Sequence, residues 1–428
     1  MVQKETIKEI LLENRTEVEN QHVVKRSYAM EDFANYVLIG VRRAGKSFLL
    51  YQQMQKYLRD GKTWDEMLYV NFEDERLIGM NVADLNLILE VHGMMSAKRP
   101  MLFLDEIQNI TGWEKFARRL ADNKYRVYIT GSNAKMLSSD VATTLGGRYV
   151  TKHVFPYSFT EFLESNNIEN NPDVIATTRG RADIQRYFAE YFRFGGFPEG
   201  AQLSSKRDYL TSVYQKIYLG DIAARNHIEN TFALRILFKK MAESIKQPVS
   251  FTRLANIVAS TGAKLGKSTL INYIEYSKNA FLIYPVRNVA DNLTKRESNP
   301  KYYFVDNGIV SLLTIDANTS LLENMVAIEL LRRYGIDDRV FFYNHRVEVD
   351  FYIPDESLAI QVSYNPHNSE DTWQRETSAL VKLSKVLDCH HRIILTYETE
   401  ETIDIDGQEI NVIPVWKWMI NDRIFFTA

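Results

Sequence analysis

The residues from Gly40 to Ser47 have the types and spacing needed to bind the phosphates of a nucleotide. They read Gly-Val-Arg-Arg-Ala-Gly-Lys-Ser, a full match to the pattern G-x-x-x-x-G-K-[ST]. Glycines let the backbone curl so that successive N–H groups point at phosphate oxygens. In such a loop the lysine, here Lys46, reaches the β- and γ-phosphates, and the hydroxyl of Ser47 binds Mg²⁺. The predicted contacts to ATP are made by Gly40, Arg43, Ala44, Gly45, Lys46, Ser47 and Phe48.

A pair of carboxylates, Asp105 and Glu106, follows the apolar run Met101-Leu-Phe-Leu. An apolar run of this length after a proline is typical of a buried parallel strand. We expect Asp105 to hold Mg²⁺ through water, next to Ser47. Glu106 would then activate the attacking water, because a carboxylate bound to metal is not free to act as a base.

Two further segments offer residues for hydrolysis. The apolar run 125–130 ends in Thr130-Gly-Ser-Asn133, and a polar residue here could contact the γ-phosphate or the attacking water. Asn133 is assigned this catalytic role, although the sequence does not choose between it, Thr130 and Ser132. The alternative is that these residues form a plain turn without a catalytic role. Arg148, just before the next apolar run, is assigned to stabilise transition-state charge in cis or from a neighbouring subunit. The alternative for Arg148 is a solvated surface position.

Alternating strand and helix patterns position these residues. Strands are predicted at 36–39, 67–72, 101–104, 125–130 and 149–155, with crossover helices at 82–91 and 113–121. The phosphate loop therefore lies between a strand and a helix. This order is typical of an α/β fold built on a parallel sheet. An amphipathic helix is predicted before it, at residues 4–14.

The chain resembles the AAA+-like ATPases of bacteria and archaea that carry a C-terminal nuclease-like domain. The resemblance rests on motifs spread over nearly the whole chain, at 40–47, 101–106, 130–133, 145–148, 155–162, 194–199 and 303–308. It implies a P-loop core with an additional strand between the phosphate loop and the acidic strand. It further implies a helical lid, a winged-helix module and a restriction-endonuclease-like α/β tail.

The resulting division has four parts. Residues 1–155 form the P-loop ATPase core with its N-terminal helix, and 156–229 form the lid. Residues 230–300 form the winged helix, and 301–428 form the nuclease-like domain.

The winged-helix segment is the predicted contact to DNA. Two short helices, 250–259 and 267–278, flank a glycine-containing turn, and a strand at 281–286 follows as the wing. Lysine and arginine outnumber aspartate and glutamate between residues 260 and 302. Lys264, Lys267 and Lys278 would contact phosphates there. The alternative is a module that only bridges domains.

The tail has lost part of the nuclease pattern that the resemblance implies. In that pattern a helix Glu, a strand Asp and a Glu-x-Lys pair bind metal and activate water. Glu323 or Glu329 matches the first position, and Asp350 matches the second. The third position reads Gln361-Val-Ser363, which lacks both the carboxylate and the cation. We therefore expect a catalytically degenerate scaffold, with Glu348 the residue most able to replace the lost ligand.

Composition restricts the remaining function classes. The net charge of −3 gives no global attraction to nucleic acid, so DNA binding requires a local patch. A single cysteine excludes an internal disulfide, consistent with a reducing cytosol. The charged N-terminus and the lack of a long apolar segment predict no signal peptide and no membrane contact. The predicted location is cytoplasmic.

The sequence thus predicts an Mg²⁺-dependent ATPase whose nucleotide state moves the lid, the winged helix and the tail. The alternative is a nucleotide-gated DNA-binding or regulatory module with negligible turnover. The intact pair Asp105-Glu106 favours hydrolysis. The sequence does not set the oligomeric state.

Overall fold

The protein is described by a computed structural model covering residues 2–133, 136, 139–263 and 265–421, with only the backbone of residues 139 and 140. The chain divides into two compact units. The first comprises the residues up to Val154 together with Asn279–Phe281. The second comprises Phe155–Lys278 and the residues from Leu282 onward. Across the described residues, no helix combines the length and apolar character that crossing a membrane requires.

The first unit is an α/β fold around one five-stranded sheet. Its strands are β1 (Asn35–Ile39), β2 (Met67–Asn71), β3 (Met101–Asp105), β4 (Val127–Gly131) and β5 (Tyr149–His153). Its helices are α1 (Lys4–Asn20), α2 (Lys46–Arg59), α3 (Leu85–Met95), α4 (Trp113–Asp122) and α5 (Ser139–Leu145). Short 3₁₀ turns lie at Trp64–Glu66, Glu75–Leu77 and Ile107–Asn109.

All neighbouring strands of this sheet are parallel, in the order β2-β3-β4-β1-β5. Strand β4 therefore lies between the strand that leads into the phosphate loop and the acidic strand β3, as the resemblance implied. The apolar runs Val37–Ile39, Leu102–Leu104 and Val127–Ile129 are buried, because helices cover both faces of a parallel sheet. The predicted strands and crossover helices of this unit are confirmed.

The second unit begins with a series of helices. They are α6 (Phe159–Ser165), α7 (Pro172–Ala176), α8 (Thr178–Phe194), α9 (Lys206–Gln215), α10 (Thr231–Glu243), α11 (Phe251–Ser260) and α12 (Lys267–Asn279). A π-helix, Lys216–Ala224, continues α9. Helix α6 starts at a capping box, in which Ser158 and Glu161 each accept a hydrogen bond from the other's backbone N–H.

An eight-stranded mixed sheet forms the rest of the second unit. Its strands are β6 (Ile283–Asn288), β7 (Lys301–Phe304), β8 (Phe341–Asn344), β9 (Glu348–Ile353), β10 (Leu358–Ser363), β11 (His391–Thr396), β12 (Glu401–Ile405) and β13 (Gln408–Pro414). Their order is β12-β13-β11-β10-β9-β8-β6-β7. The accompanying helices are α13 (Leu293–Ser298), α14 (Asn307–Leu313), α15 (Asn318–Tyr334), α16 (Glu370–Leu383) and α17 (Val415–Ile420).

The strand predicted as a wing belongs to this sheet. Strand β6 pairs antiparallel with β7 and parallel with β8. The boundary predicted at residue 300 therefore cuts through one sheet, and this correction follows from long-range pairing that local patterns do not show. Helices α11 and α12 are present as predicted, while their assignment to a winged helix stays a prediction. Lys264 lies outside the described residues.

The motifs at 194–199 and 303–308 fit together in the second unit. The carboxylate of Asp306 accepts hydrogen bonds from the backbone N–H groups of Gly196, at 2.7 Å, and Gly308, at 2.8 Å. A Cβ atom on Gly195 would lie 1.7 Å from Asp306 Oδ1, so only glycine fits. These two motifs thus pack against each other where α8 ends and α14 begins.

Candidate nucleotide-binding site

The phosphate loop owes its shape to two glycines. A Cβ atom on Gly40 would lie 2.0 Å from the carbonyl oxygen of Val154, so the loop leaves β1 through a position that admits no side chain. Gly45 has a φ of 87°, a left-handed conformation that favours glycine, and helix α2 begins at the next residue. The loop therefore ends at the N-terminus of a helix, where backbone N–H groups are free to bind an anion.

Lys46 lies at the centre of the site. Its side chain is 4% exposed, and Nζ donates hydrogen bonds to the carbonyl oxygens of Gly40, at 3.2 Å, and Val41, at 3.1 Å. The same atom is 3.6 Å from Glu106 Oε1. The phosphate loop thus holds its cation next to the acidic pair. The structure brings these predicted residues together.

Asp105 is fully buried at the end of β3 and is surrounded by hydroxyl donors. Tyr69 donates to its Oδ2 at 3.0 Å, and Thr130 donates to its Oδ1. Ser47 also lies near this carboxylate. Burial, followed by the charge of Glu106, raises the pKa of Asp105 to about 6. A cation bound here would stabilise the ionised form of Asp105, which burial and Glu106 disfavour.

The donors present fit Mg²⁺. Ser47 lies near enough to Asp105 to act on the pKa of its carboxylate, and a hydroxyl and a carboxylate are both oxygen ligands of the kind that Mg²⁺ prefers. Ser47 and Asp105 are the residues that would hold the metal, and this role stays a prediction.

Glu106 has an unusual backbone conformation and a carboxylate that is held ionised. Its φ of 51° is rare for a residue with a side chain, and its N–H donates to Thr130 Oγ1 at 2.9 Å. Gln108 donates to Oε2. Burial raises the pKa of Glu106, but Lys46, Gln108 and Arg42 outweigh it and lower the pKa overall. The carboxylate is thus ionised at neutral pH.

The polar end of β4 contacts the acidic pair through Thr130 most directly. Thr130 is buried and joins the side chain of Asp105 to the backbone of Glu106. Ser132 is buried beside Glu106 and helps to lower its pKa. Asn133 is also buried at this end of the strand, 7% exposed. Its predicted catalytic role stays a prediction, while Thr130 has hydrogen bonds to both acidic residues.

Arg148 does not reach the phosphate loop of its own unit. Strands β1 and β5 are parallel, with Asn35 opposite Tyr149 and Ile39 opposite His153. Arg148 precedes β5, so it lies at the starting end of the sheet, about 13 Å from the end where the loop begins. It forms an ion pair of 2.5 Å with Asp122 instead. The prediction of a role in cis is corrected by this placement, and a role in trans stays a prediction.

Phe48 and Arg43 complete the predicted loop contacts. Phe48 is 38% exposed in the first turn of α2, with its ring 5.3 Å from that of Tyr51. Arg43 has a left-handed φ of 65° within the loop. Their contacts to a nucleotide stay predictions.

Three contributors to the site carry no signal in the sequence. Tyr69 reaches Asp105 from β2, and Gln108 reaches Glu106 from the following turn. Arg26 is 3% exposed and donates to the carbonyl oxygen of Ala44 in the loop, at 2.7 Å. An aromatic residue in an apolar strand, a glutamine in a turn and an arginine in an extended segment are all common, so only the fold identifies them.

The carboxylates of the tail surround a lysine that the sequence did not suggest. Lys301 opens β7 with no exposed surface, and its Nζ lies 3.1 Å from Glu323, 3.3 Å from Asp350 and 3.4 Å from Glu348. These carboxylates outweigh burial and raise the pKa of Lys301, which therefore stays charged. Glu329, the alternative helix ligand, pairs with Arg332 and Arg333 instead.

Gln361 has a structural role beside this cluster. Its Oε1 accepts from the N–H of Asp350 at 2.9 Å, and its Nε2 donates to the carbonyl oxygen of Glu348 at 3.0 Å. Both ends of the amide are thus used to join β10 to β9. Within the part of the chain that the structure describes, no group of three or more His, Cys, Asp or Glu residues is arranged to hold a metal ion.

Two family models match parts of the chain. Residues 32–163 match the family model of an AAA domain, and residues 185–335 match a domain of unknown function. An uncharacterized protein of Methanocaldococcus jannaschii is 33% identical over 98% of this chain and 96% of its own length. The chain belongs to the same family as that protein. An uncharacterized protein of Haemophilus influenzae is 32% identical over 90% of this chain and 94% of its own length.

Solved structures show weaker similarity. The Orc1 protein of Aeropyrum pernix, in complex with DNA, aligns at 16% identity over 76% of this chain and 94% of that chain, with a TM-score of 0.31. AMPPCP-bound DnaA of Aquifex aeolicus aligns at 16% identity over 62% and 85%, with a TM-score of 0.25. We assign the first unit to the P-loop ATPases on three grounds other than these structures. They are the AAA match, the strand order and the phosphate loop.

Proposed function

We propose that this protein binds ATP with Mg²⁺ at the phosphate loop and hydrolyses it. The observation that carries the proposal is the contact of Lys46 with Glu106, 3.6 Å apart, beside the Ser47–Asp105 pair. A cation for phosphate, two oxygen ligands for metal and a separate ionised carboxylate are thus within one buried cluster. A module that only binds nucleotide has no need of a separate ionised carboxylate.

Each residue has a distinct task in this proposal. The N–H groups at the start of α2 and the ammonium of Lys46 bind phosphate oxygens. Ser47 and Asp105 hold the metal, which neutralises phosphate charge when bound. Glu106 accepts a proton from the attacking water, and Thr130 fixes the backbone from which Glu106 projects.

Steady-state release of phosphate from ATP by the purified chain tests the proposal directly. Turnover that depends on Mg²⁺ and on Glu106 supports it. Nucleotide binding without turnover would favour the alternative of a nucleotide-gated regulatory module. We further propose that nucleotide state is coupled to rearrangement of the second unit, which limited proteolysis with and without ATP would detect.

A second proposed activity is DNA binding by the second unit. A cleft of about 410 Å³ is lined by Lys246, Arg346 and Lys382, and none of these three cations has an ion-pair partner among the residues that the structure describes. The carboxylates in the cleft are neutralised in part by Lys301 and Arg375. Lys267 is exposed at the start of α12, whereas Lys278 already pairs with Glu275 at 2.8 Å.

We expect the triple variant Lys246→Ala, Arg346→Ala, Lys382→Ala to weaken binding of a labelled DNA duplex. Each phosphate contact made on binding releases roughly one counterion. Loss of three contacts should therefore flatten the slope of log K against log salt by about three at most. Fluorescence anisotropy across a salt series measures this slope. The variant Lys267→Ala, Lys278→Ala should have a smaller effect, because Lys278 is already paired.

The matched control replaces three exposed cations elsewhere in the same unit, Arg207, Lys216 and Lys239. It should retain the wild-type slope. A slope changed by Lys267→Ala, Lys278→Ala but not by the cleft variant would place DNA on the helix pair alone. Absence of binding at low salt would remove DNA as a partner.

We predict no Mg²⁺- or Mn²⁺-dependent cleavage of plasmid, linear or branched DNA above background. Lys301 already provides the counter-charge to Glu323, Glu348 and Asp350, and Gln361 uses both ends of its amide on β9. A nicking assay on supercoiled plasmid measures this. Cleavage that is present in the wild type and lost in Asp350→Ala would show that the tail is an active nuclease.

A further inference from the structure

A chain of hydroxyl groups joins helix α1 to the acidic strand of the nucleotide site. The hydroxyl of Tyr51, on α2, is 3.2 Å from Glu17 Oε1 and 3.2 Å from the hydroxyl of Tyr69. The hydroxyl of Tyr69, on β2, is 3.0 Å from Asp105 Oδ2. Glu17 is exposed to solvent at one end, and Asp105 is fully buried at the other.

The number of protons decides which contacts of this chain are hydrogen bonds. Two phenols supply two protons, while three contacts connect Glu17, the two phenols and Asp105. With both carboxylates ionised, one contact has no proton. Water can solvate the exposed Glu17 but not the buried Asp105, so the proton of Tyr69 is directed to Asp105.

The position of the Tyr69 hydroxyl is fixed by packing. The side chain is 3% exposed, and its ring meets that of Tyr51 edge to face, with centroids 5.5 Å apart. Its carbonyl oxygen accepts from Asn14 Nδ2 at 3.3 Å. Tyr69 lies two residues before Asn71, which is registered with Asp105 across β2 and β3. Tyr69 therefore cannot turn its hydroxyl away from Asp105 without disturbing the core.

We propose that Tyr69 is a positioning residue that orients Asp105 for the Mg²⁺ that accompanies ATP. Thr130 holds one carboxylate oxygen and Tyr69 holds the other, so the plane of the carboxylate is set from both neighbouring strands. Partners of this kind fix a metal ligand's orientation without touching the metal. The inference rests on the proposed function, because it concerns the metal of the same site.

Tyr69→Phe tests the inference, because it removes only the hydroxyl. The measurement is ATP affinity by calorimetry, with EDTA and across a series of Mg²⁺ concentrations. We expect ATP affinity in EDTA to stay within about twofold of wild type, since the phosphate loop is unchanged. The Mg²⁺ concentration that gives half of the gain in affinity should rise about 10-fold or more, as is typical when such a partner is lost.

Tyr51→Phe is the matched control. It removes the next hydroxyl of the chain but leaves the Tyr69–Asp105 hydrogen bond, so its Mg²⁺ dependence should stay within about threefold of wild type. If Tyr69→Phe alone fails to fold, the double variant Tyr51→Phe, Tyr69→Phe pairs two apolar rings and gives the same readout. Thermal unfolding confirms that each variant is folded.

The outcomes separate the inference from the proposed function. If Mg²⁺ does not raise the ATP affinity of the wild type, the proposed metal site is wrong. If it does, and Tyr69→Phe responds to Mg²⁺ as the wild type does, Tyr69 has no positioning role. An equal loss in Tyr51→Phe and Tyr69→Phe would assign the effect to packing and would also overturn the inference.

Discussion

Glu106→Gln is expected to leave ATP binding intact and to lower turnover by about 100-fold or more. The substitution preserves shape and can still accept a hydrogen bond from Gln108, but it cannot take a proton from water. The lowered pKa of Glu106 means that its carboxylate is the ionised form at neutral pH, so the variant removes a base that is present. Phosphate release under saturating ATP measures turnover, and calorimetry measures binding.

The matched control is Glu75→Gln, an exposed glutamate in the same unit, which should turn over ATP as the wild type does. Unchanged turnover in Glu106→Gln would exclude Glu106 as the base. Tighter ATP binding in the variant would not contradict the assignment, because removing a negative charge beside the phosphates relieves repulsion.

The nucleotide core could be predicted from the sequence because its information is local. A buried parallel strand is a continuous apolar run, and the phosphate loop must follow one such run and precede a helix. Asp105 is the last residue of β3 and Glu106 follows it, so the direction of the strand alone places them at the edge of the sheet where the loop lies. The same reasoning predicts that residues at the end of β4 meet this pair, as Thr130 does.

Other features depend on contacts that no local pattern specifies. Arg148 was assigned from its type, yet a residue that precedes a parallel strand lies at the opposite edge from one that follows it. The loss of Glu-x-Lys at Gln361 and Ser363 indicated that the tail lacks a cation. The fold supplies one from β7, because Lys301 contacts Asp350, which is 49 residues away in the sequence. In the sequence Tyr69 cannot be distinguished from other core tyrosines, because its contact with Asp105 depends on the pairing of β2 with β3.

Lys46→Ala is expected to weaken ATP binding by about 100-fold or more. The ammonium is the main cationic partner of the β- and γ-phosphates, and a hydrogen bond to a charged group is worth about 1.5–3 kcal/mol. In this protein the loss is compounded, because Glu106 Oε1 lies 3.6 Å from Nζ and would face the phosphates without its counter-charge. Calorimetric titration of ATP in the presence of Mg²⁺ measures the effect.

Lys56→Ala provides the control within the same helix. Lys56 is also on α2, but it is 45% exposed and its nearest carboxylate, Asp32, is 3.9 Å away. Its loss should leave ATP affinity within about twofold of wild type, because exposed ion pairs contribute little.

Substitution of Lys46 by alanine also removes the hydrogen bonds from Nζ to the carbonyl oxygens of Gly40 and Val41, so thermal unfolding must show that the variant is folded. A folded Lys46→Ala variant that binds ATP as tightly as Lys56→Ala would refute the phosphate-loop assignment, and the roles derived for Ser47, Asp105 and Glu106 would lose their basis with it.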